Sequence, residues 1–591
     1  MSLLRARLVT AFFLFLFGAL FLRLFYWQVL SSGKLSAAAE DQHFYSLTIP
    51  ARRGEIKSAD GFPLAADKND YLFYVNLSQF TADKSQVADQ LATILSADVP
   101  LISTGSSEIT PADRETFRSE TRKKMAADLL SKFNVKTGIW VNLAHFISED
   151  LKTKIENLHV SGLGFEPEPS RDYPEASMAA HLLGFVGFDV MGNPKGYFGL
   201  EGFYERDLAG RSGEVRMEKD AFGRPLAIGR ETRLDKQDGR DLVTTIDRSV
   251  QRFVEADLSK GIKDWKASGG LAIVMDPKTG AVLADASFPQ YDPANFSYYP
   301  TKLYKNPAIA DLFEPGSIFK PLIMAAAINE NKLTPNTTCD ECSGPRKIGE
   351  YYIHTFDDKY HPNETMTDVL INSDNTGMSF VGEKLGFDKL YAYLQKYGFG
   401  QKTGIDLQEE EGGQLRPKAD YYEIDKATLT FGQGIGVSAM QMMKAWSALA
   451  NNGRMSTPHL VSEIIDGNRT IKLNWPQSEQ IVSPAAAKMV TEMLTRVARE
   501  SPEHFPIDRE KSLTDYKIAA KSGTAQIAVG GKYIDTGYNA SLMGYFPADN
   551  PQFLVIVKLN QPEVRIWGSD TAGPVFAAIA RDLLYYYGIS P

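Results

Sequence analysis

The chain is 591 residues long, and 43% of its residues are hydrophobic and 23% are charged. This is the composition of an ordinary folded protein, and the length suits about three or four domains. The formal net charge of −9 and the lack of any long basic run argue against nucleic acid as a main partner. The eight histidines show no paired metal-ligand spacing, so the sequence predicts no metal site.

The first 30 residues predict a membrane anchor. Arg5 and Arg7 precede the apolar run Leu8–Leu22, and apolar residues continue past Arg23 as far as Leu30. This segment is long enough to cross a bilayer as a helix, with the Arg23 side chain reaching towards the interface. Because positive residues stay on the cytoplasmic side, we expect a single crossing of the cytoplasmic (inner) membrane with the N-terminus inside.

A cleaved signal peptide is the alternative for this segment, with the small residues Ala37–Ala39 as its cleavage site. The apolar run is longer than a typical signal-peptide core, however, and it ends well before Ala37. We therefore predict an uncleaved anchor in residues 1–30 and a linker in residues 31–49. Everything from about Ser31 onward is then expected outside the cytoplasm.

The segments after the linker predict a mixed α/β region. A strand–turn–strand motif is expected over Arg52–Ala65, with its turn at Gly61. From residue 81 to about residue 150 the pattern is helical and mixed in charge, and Thr116–Phe133 is its clearest amphipathic helix. The stretch between residues 98 and 113 is typical of a loop.

The C-terminal half alternates between helices and strands. A helix and two strands come first, a mostly helical middle follows, and three strands and a last helix end the chain. This order suits an α/β (α+β) fold in which an antiparallel sheet lies beside a helical lobe. The predicted elements are a helix at Val250–Ile262, strands at Gly270–Met275, Ala281–Ser287, Tyr516–Thr524, Asn539–Tyr545 and Phe553–Lys558, and a helix near Pro574–Tyr587.

A nucleophile pattern lies at the start of the helical middle. Pro315–Gly316 interrupts regular structure before an apolar helical run, so Ser317 should lie at a helix N-terminus with Lys320 one turn along on the same face. A neutral amine beside a hydroxyl can take its proton, and the helix N-terminus favours the developing oxyanion. The alternative is an N-cap serine with a solvated lysine, and Ser31 with Lys34 shows that the spacing also arises by chance.

Two further motifs follow this one in a fixed order. Ser373-Asp374-Asn375 comes first, and Lys521–Thr524, with the sequence Lys-Ser-Gly-Thr, comes after a short strand-like run. The three motifs together are the pattern of penicillin-binding proteins and class A β-lactamases. Lys-Ser/Thr-Gly alone is a weak signal, because it also occurs at Lys136–Gly138, Lys278–Gly280 and Lys402–Gly404.

At these residues the sequence resembles the class B penicillin-binding proteins, the monofunctional D,D-transpeptidases of peptidoglycan synthesis. The resemblance covers nearly the whole chain and includes Arg52–Ala65, where Ser58-Ala59 replaces the family's usual Asp-Arg pair. It implies a penicillin-binding serine transpeptidase fold in residues 246–591, preceded by an elongated, mixed pedestal or dimerisation-type domain in residues 50–245. The other stretches that carry the resemblance are Leu242–Asp247, Met275–Ala284, Phe431–Ile435 and Gly544–Ala548.

The resemblance also implies catalytic roles. Ser317 would attack the penultimate carbonyl of a stem peptide ending in D-Ala-D-Ala, and Lys320, as the free amine, would take its proton. Lys521 close by, together with desolvation, would disfavour the charged form of Lys320. The backbone N–H groups of Ser317 and Thr524 would form the oxyanion hole.

The resemblance implies supporting roles for the remaining motif residues. Ser373 would pass a proton through Lys521 to the leaving nitrogen, and Asn375 would hold the peptide amide. Asp374 is expected to have a structural use only, and the same holds for a buried ion pair between Arg171 and Glu201. The residues expected to bind the carboxylate of the substrate or of an inhibitory β-lactam are Ser522, Gly523 and Thr524, together with Lys521.

The leading hypothesis is a membrane-anchored transpeptidase that needs no cofactor and works with a membrane glycan polymerase of the shape, elongation, division and sporulation type. The alternatives are a β-lactamase, a D,D-carboxypeptidase, a β-lactam-sensing receptor and an inactive cell-wall scaffold. Too few residues precede the apolar run for a signalling domain, and no base for a deacylating water can be identified. Phe431–Ser438 favours a division or sporulation role over elongation.

Cys339 and Cys342 form a Cys-x-x-Cys pair in a domain that we expect outside the cytoplasm, where a local disulfide would persist. Two cysteines cannot complete a structural zinc site, and no βαβ pattern around them suggests a thioredoxin-like centre. We predict that they are loop cysteines, either oxidised or free.

Overall fold

The computed structural model describes residues 3–36, 44–97, 99, 111–136, 139–220, 226, 231–356, 358–476, 480–501, 512–529 and 532–591. The chain divides into two compact units, Met1–Arg53 with Ala209–Gly239, and Gly54–Leu208 with Arg240–Pro591. The possible cleavage site at Ala37–Ala39 lies outside the described residues, as does most of the predicted loop between residues 98 and 113.

The helices begin and end as follows in chain order: α1 (Leu3–Phe25), α2 (Lys84–Ser96), α3 (Pro111–Phe133), α4 (Glu149–Glu156), α5 (Ala180–Leu183), α6 (Gly199–Phe203), α7 (Glu205–Leu208), α8 (Arg248–Trp265), α9 (Pro307–Ala310), α10 (Lys320–Asn329), α11 (Met366–Ile371), α12 (Asn375–Leu385), α13 (Phe387–Lys396), α14 (Glu423–Thr428), α15 (Ala439–Ala450), α16 (Pro484–Glu500) and α17 (Gly568–Tyr586).

The strands are β1 (Phe44–Ile49), β2 (Ile56–Lys57), β3 (Pro63–Asn76), β4 (Trp140–Ile147), β5 (Leu163–Asp172), β6 (Phe185–Phe188), β7 (Pro194–Tyr197), β8 (Gly213–Glu218), β9 (Glu231–Leu234), β10 (Asp241–Thr244), β11 (Gly269–Met275), β12 (Val282–Phe288), β13 (Arg346–Ile348), β14 (Tyr351–Ile353), β15 (Val461–Asp466), β16 (Arg469–Lys472), β17 (Ala519–Val529), β18 (Lys532–Phe546) and β19 (Phe553–Asn560).

The first unit contains the apolar N-terminal helix and a small sheet. Helix α1 continues into one π-helical turn, Tyr26–Leu30. Leu3–Leu30 has a mean hydropathy of 2.3, and it is the one helix among the described residues that is long and apolar enough to cross a membrane. Strands β1, β8 and β9 form an antiparallel sheet in which β8 is central.

The second unit begins with a seven-stranded sheet that is built on the long strand β3. The strand order is β16-β15-β10-β2-β3-β4, and β5 also pairs with β3. The predicted strand–turn–strand motif is confirmed as β2 and β3, with a positive φ of 84° at Gly61 that favours glycine. Helices α2, α3 and α4 pack on β3, β4 and β5 around buried residues such as Phe73, Leu91 and Phe133.

Strand β4 corrects the helical prediction for residues 81–150. The sequence Trp-Val-Asn-Leu-Ala-His-Phe-Ile pairs antiparallel with β3 from Asn76↔Trp140 to Tyr71↔Ile147. Its buried residues Leu143 and Ile147 and its β-branched content suit a half-buried strand. The charged helix α3 before it dominated the pattern and hid this short strand, although the predicted helix Thr116–Phe133 lies within α3.

The expected ion pair near this sheet is present. Arg171 on β5 donates from Nε to Glu201 Oε1 at 2.7 Å and from Nη1 to Asp67 Oδ1 at 3.0 Å. The Arg171 side chain is 4% exposed and that of Glu201 is not exposed. The pair therefore ties β3, β5 and α6 together inside the unit.

A five-stranded antiparallel sheet in the order β12-β11-β19-β18-β17 forms the base of the candidate site. Adjacent residues of a strand face opposite sides of the sheet. Phe546 of β18 contacts Phe576 of α17 on one face, whereas its neighbour Tyr545 contacts Trp446 of α15 on the other. The predicted antiparallel sheet beside a helical lobe is confirmed.

The last helix begins earlier than predicted. Helix α17 starts at Gly568, and Pro574 lies inside it rather than at its first turn. Proline lacks the N–H that would bond to the carbonyl four residues earlier, which is why the sequence pattern favoured a start at Pro574. Burial of residues on both sides of the proline, including Ala572 and Phe576, holds the helix together.

Candidate active site

Ser317 lies in a single 3-10 turn, Gly316–Phe319, that leads directly into α10. The backbone N–H of Lys320 donates to Ser317 O, so the two side chains follow each other at the three-residue spacing of a 3-10 turn. Gly316 has a φ of +58°, and a Cβ there would lie 3.3 Å from Ala525 Cβ on β17. The turn is thus pressed against the sheet edge, which leaves Ser317 half-buried.

Lys320 is fully buried and reaches the second motif. Its Nζ donates to Ser373 O at 2.5 Å and to Asn375 Oδ1 at 2.8 Å, and Ser373 Oγ lies 3.3 Å from it. The first two acceptors can take both hydrogens of a neutral amine, which leaves its lone pair for a third group. Lys320 is therefore fixed in position by the Ser-Asp-Asn motif.

The Ser373–Asn375 segment is shaped by its local backbone. Ser373 has a positive φ of 55°, and the next residue caps α12 through its side chain. Asp374 Oδ1 accepts from Thr376 N at 2.6 Å and from Gly377 N at 3.0 Å. This cap agrees with the structural use expected for Asp374, and it turns the Ser373 and Asn375 side chains towards Lys320.

The third motif lies on β17 beside the nucleophile turn. Lys521 is 2% exposed, and its Nζ donates to Ser522 O at 3.1 Å. A Cβ at Gly523 would lie 2.7 Å from Ser541 Oγ and 3.2 Å from Ile318 Cγ2, so the strand needs glycine to approach the turn this closely. Thr524 Oγ1 accepts from Gly568 N at 3.0 Å. All three motifs therefore meet at one place.

The electrostatics of the site favour uncharged amines. Burial, and secondly the positive charge of Lys521, hold the pKa of Lys320 well below its usual value of 10.5. Burial lowers the pKa of Lys521 to about 7. Asp374 and Glu364 act in the opposite direction on the pKa of Lys320. A lysine in such surroundings can act as a base near neutral pH.

Several supporting residues were missed by sequence reasoning. Gly432, with a φ of +79°, accepts from Gly316 N through its carbonyl at 3.1 Å. Trp446 Nε1 donates to Ile318 O at 2.9 Å, and Glu314 Oε1 accepts from Gly434 N at 2.8 Å. The Phe-Gly-Gln-Gly stretch was recognised in the sequence, but only its packing reveals that it backs the nucleophile turn.

A buried carboxyl pair also escaped prediction. Glu364 and Asp374 are 6% and 1% exposed, and their carboxylate oxygens and the nearest ring nitrogen of His361 lie within 4.8 Å of one another. Burial, with the neighbouring Asp374, raises the pKa of Glu364 to about 8. The signal was weak in the sequence because Glu364 lies in an irregular, polar stretch before α11.

The chance matches to these motifs at Lys278 and at Ser31 with Lys34 lie outside the candidate site. Lys278 is exposed in the turn between β11 and β12 and donates to Asn550 Oδ1 at 2.6 Å. Ser31 and Lys34 follow the apolar helix in the other unit. Cys339 and Cys342 form a disulfide, which decides between the oxidised and free states left open by the sequence.

Comparison with known families covers most of the chain. Residues 270–581 match the family described as Penicillin binding protein transpeptidase domain. Residues 48–244 match the family described as Penicillin-binding Protein dimerisation domain. The transpeptidase match spans more than half of the chain and contains all three motifs.

Individual relatives agree with these matches. The chain is 30% identical over 589 residues to stage V sporulation protein D of Bacillus subtilis, covering 98% of this chain and 86% of the relative. It is 30% identical over 461 residues to peptidoglycan D,D-transpeptidase FtsI of Buchnera aphidicola, covering 77% of each chain. Penicillin binding protein 3 of Mycobacterium tuberculosis, complexed with aztreonam, has a similar fold, with a TM-score of 0.67, 23% identity and coverage of 92% of this chain and 98% of that one.

Proposed function

Because this chain belongs to the class B penicillin-binding proteins, we propose that it is a peptidoglycan D,D-transpeptidase that cross-links stem peptides through an acyl-serine intermediate. The observation that carries this proposal is the buried Lys320 amine, fixed by Ser373 and Asn375 one turn after Ser317 and beside Lys521. Lys320 and Lys521 are both buried, which argues against the alternative of an N-cap serine followed by a solvated lysine.

In the proposed reaction, Ser317 Oγ attacks the penultimate carbonyl of a stem peptide ending in D-Ala-D-Ala, and Lys320 Nζ takes the hydroxyl proton. The tetrahedral intermediate carries its negative charge on the former carbonyl oxygen. Backbone N–H groups of Ser317 and Thr524 stabilise that oxyanion, because both lie on the elements that meet at the site. Lys521, Ser522 and Thr524 bind the terminal carboxylate of the donor peptide, and Gly523 lets their strand approach it.

The intermediate collapses when the peptide C–N bond breaks and the leaving nitrogen receives a proton. Ser373 Oγ, 3.3 Å from Lys320 Nζ, supplies a route for that proton through Lys521. The D-Ala leaves, and an ester links the remaining peptide to Ser317. The amino group of a second stem peptide then attacks this ester, which forms the cross-link and frees the serine. Asn375 holds the peptide amide in both steps.

We propose that β-lactams inhibit this chain by acylating the same serine. The mycobacterial protein with a similar fold was solved with aztreonam, which supports the proposal. A β-lactam carries a strained amide and a carboxylate, so it suits a site with an activated hydroxyl and with the hydrogen-bond donors of Lys521, Ser522 and Thr524. No cofactor is needed for either reaction.

We further propose that Leu3–Leu30 anchors the chain in the cytoplasmic membrane with the N-terminus inside, which the hydropathy of 2.3 supports. The chain would then work with a membrane glycan polymerase of the shape, elongation, division and sporulation type. A role in division or sporulation is favoured by Phe431–Ser438, and the name of the relative stage V sporulation protein D supports the sporulation role. Domain limits of 1–30, 31–49, 50–245 and 246–591 remain our proposal.

The test is intact mass of the full chain in detergent after incubation with benzylpenicillin, followed over time and mapped by peptide analysis. We expect a long-lived adduct of one penicillin on Ser317 that is absent in Ser317→Ala. Ser31→Ala is the matched control, because Ser31 has the same spacing to a lysine, and it should be acylated like the wild type. Rapid loss of the adduct with turnover would instead indicate a β-lactamase, and no adduct on a folded chain would indicate a scaffold.

A further inference from the structure

Behind Lys320 lies a pair of carboxyl groups that the proposed reaction does not use. Glu364 precedes α11, and its side chain is 2% exposed. Asp374 Oδ1 caps α12, but its Oδ2 and Glu364 Oε1 are both buried and have no hydrogen-bond partner among the described residues. Two ionised carboxylates cannot face each other in a site of this kind without a proton or a cation between them.

The surroundings of Glu364 favour a proton over a charge. Asn372 Nδ2 donates to Glu364 Oε2 at 3.0 Å, which leaves Oε1 for Asp374. The negative charges of Asp374 and Asp368 both disfavour ionisation of Glu364, in addition to its burial. His361 Nδ1 lies 4.0 Å from Glu364 Oε2, but this histidine is about half exposed.

The pair also acts on the base. Lys320 faces the charges of Lys521, Asp374 and Glu364, and the two carboxyl groups favour its ammonium form. If both were ionised, two negative charges would oppose the loss of the proton from Lys320. One charge opposes it less, so the number of protons on the pair sets how readily the amine is freed.

We propose that Glu364 is a positioning residue for Lys320: its carboxyl group is held as the acid, donates a hydrogen bond to Asp374, and leaves one negative charge rather than two behind the amine. The shared proton also joins the segment before α11 to the cap of α12. This segment is held from the other side as well, because Cys339 N donates to Glu364 O at 2.9 Å. The inference rests on the proposed acylation of Ser317.

The test compares the pH dependence of acylation by a fluorescent penicillin in the full chain and in two isosteric variants. Glu364→Gln keeps the donor and acceptor pattern of the acid, so its acylation rate at pH 7 should stay within about threefold of the wild type. The acid limb of its rate profile should also stay within about half a pH unit. Asp374→Asn is made in the Glu364→Gln background, so that Glu364 cannot ionise in its place. It keeps an oxygen for the helix cap but removes the remaining charge, so its acid limb should move about one pH unit lower than that of Glu364→Gln.

Other outcomes overturn the proposal. A downward shift already in Glu364→Gln would mean that both carboxyl groups are ionised in the wild type, and no shift in either variant would mean that neither group acts on Lys320. Failure of Glu364→Gln to fold would also contradict it, since glutamine reproduces the acid. Glu364→Ala cannot donate to Asp374, so it should lose about tenfold in rate at every pH, and the glutamine variant should restore that loss.

A measurement independent of activity separates this inference from the proposed function. The infrared difference spectrum of wild type minus Glu364→Gln at pH 7 should contain the C=O band of a protonated carboxyl group. A carboxylate band in its place, or a stoichiometric divalent cation in the dialysed protein, would refute the shared proton. If the wild type forms no penicillin adduct, the proposed function fails while the infrared result still decides where the proton lies.

Discussion

The packing of Gly432 on Gly316 gives a test of how the nucleophile turn is supported. A Cβ at Gly432 would lie 2.5 Å from Gly316 O and 2.7 Å from Gly316 N, which is closer than atoms can approach. To reach ordinary contact distance the turn must shift by about 1 Å, and a misplacement of that size costs about a hundredfold in rate. Gly432→Ala should therefore acylate about a hundredfold more slowly with penicillin than the wild type.

Gly434 provides a matched control within the same motif. It has a φ of +75°, close to that of Gly432, but a Cβ there would approach nothing nearer than Arg416 Nη2 at 3.7 Å. Both alanine variants should lose about 1–2 kcal/mol of stability from the left-handed backbone. Only Gly432→Ala should lose acylation, as measured with a fluorescent penicillin and checked by thermal melting. Equal acylation rates in the two variants would refute the idea that Gly432 holds the turn in place.

Three further predictions concern buried charge and the look-alike motif. Because burial holds the pKa of Lys521 at about 7 in the folded chain, the unfolded chain binds one more proton than the folded chain between about pH 7 and pH 10. The free energy of unfolding of the wild type, measured with urea, should therefore rise by about 1.4 kcal/mol per pH unit in this window relative to that of Lys521→Met. The same pH dependence in both proteins would contradict the burial of Lys521 as a neutral amine. Lys521→Ala should lose acylation, whereas Lys278→Ala, in the exposed Lys-Thr-Gly match, should be acylated normally. Loss of acylation in both variants would contradict the assignment of the site to Lys521 alone. Arg171→Met removes the guanidinium 2.7 Å from buried Glu201 and should cost about 3–5 kcal/mol, against less than about 1 kcal/mol for Arg216→Met at an exposed pair, and similar urea midpoints for both would refute this difference.

The parts of the fold and site that sequence could predict are those specified locally. Proline and glycine before an apolar run located the turn of Ser317, and strand-like apolar runs located the five strands of the main sheet. Strand β18 begins seven residues before its predicted start, however, and β17 ends five residues after its predicted end. The order of the three motifs then brought Ser317, Lys320 and Lys521 into one hypothesis. Each of these signals lies within a few residues of the element that it predicts.

The parts that escaped prediction depend on contacts between distant segments. Strand β4 exists because β3 pairs with it, and α17 runs through Pro574 because its other residues are buried against the sheet. The burial of Glu364 could not be predicted, since nothing nearby in the chain shows that Asp374 lies close to it in the interior. The role of Gly432 could not be predicted for the same reason, because the turn that it contacts lies more than a hundred residues earlier in the chain.

The central claim is that the acyl group on Ser317 passes to an amine. The most direct measurement supplies the full chain in detergent with a stem peptide ending in D-Ala-D-Ala and an amino-bearing acceptor peptide, and follows free D-Ala and the peptide products by mass spectrometry. We predict one cross-linked peptide for each D-Ala released, with neither product formed by Ser317→Ala. Release of D-Ala with only the hydrolysed peptide would contradict the claim and make the chain a carboxypeptidase.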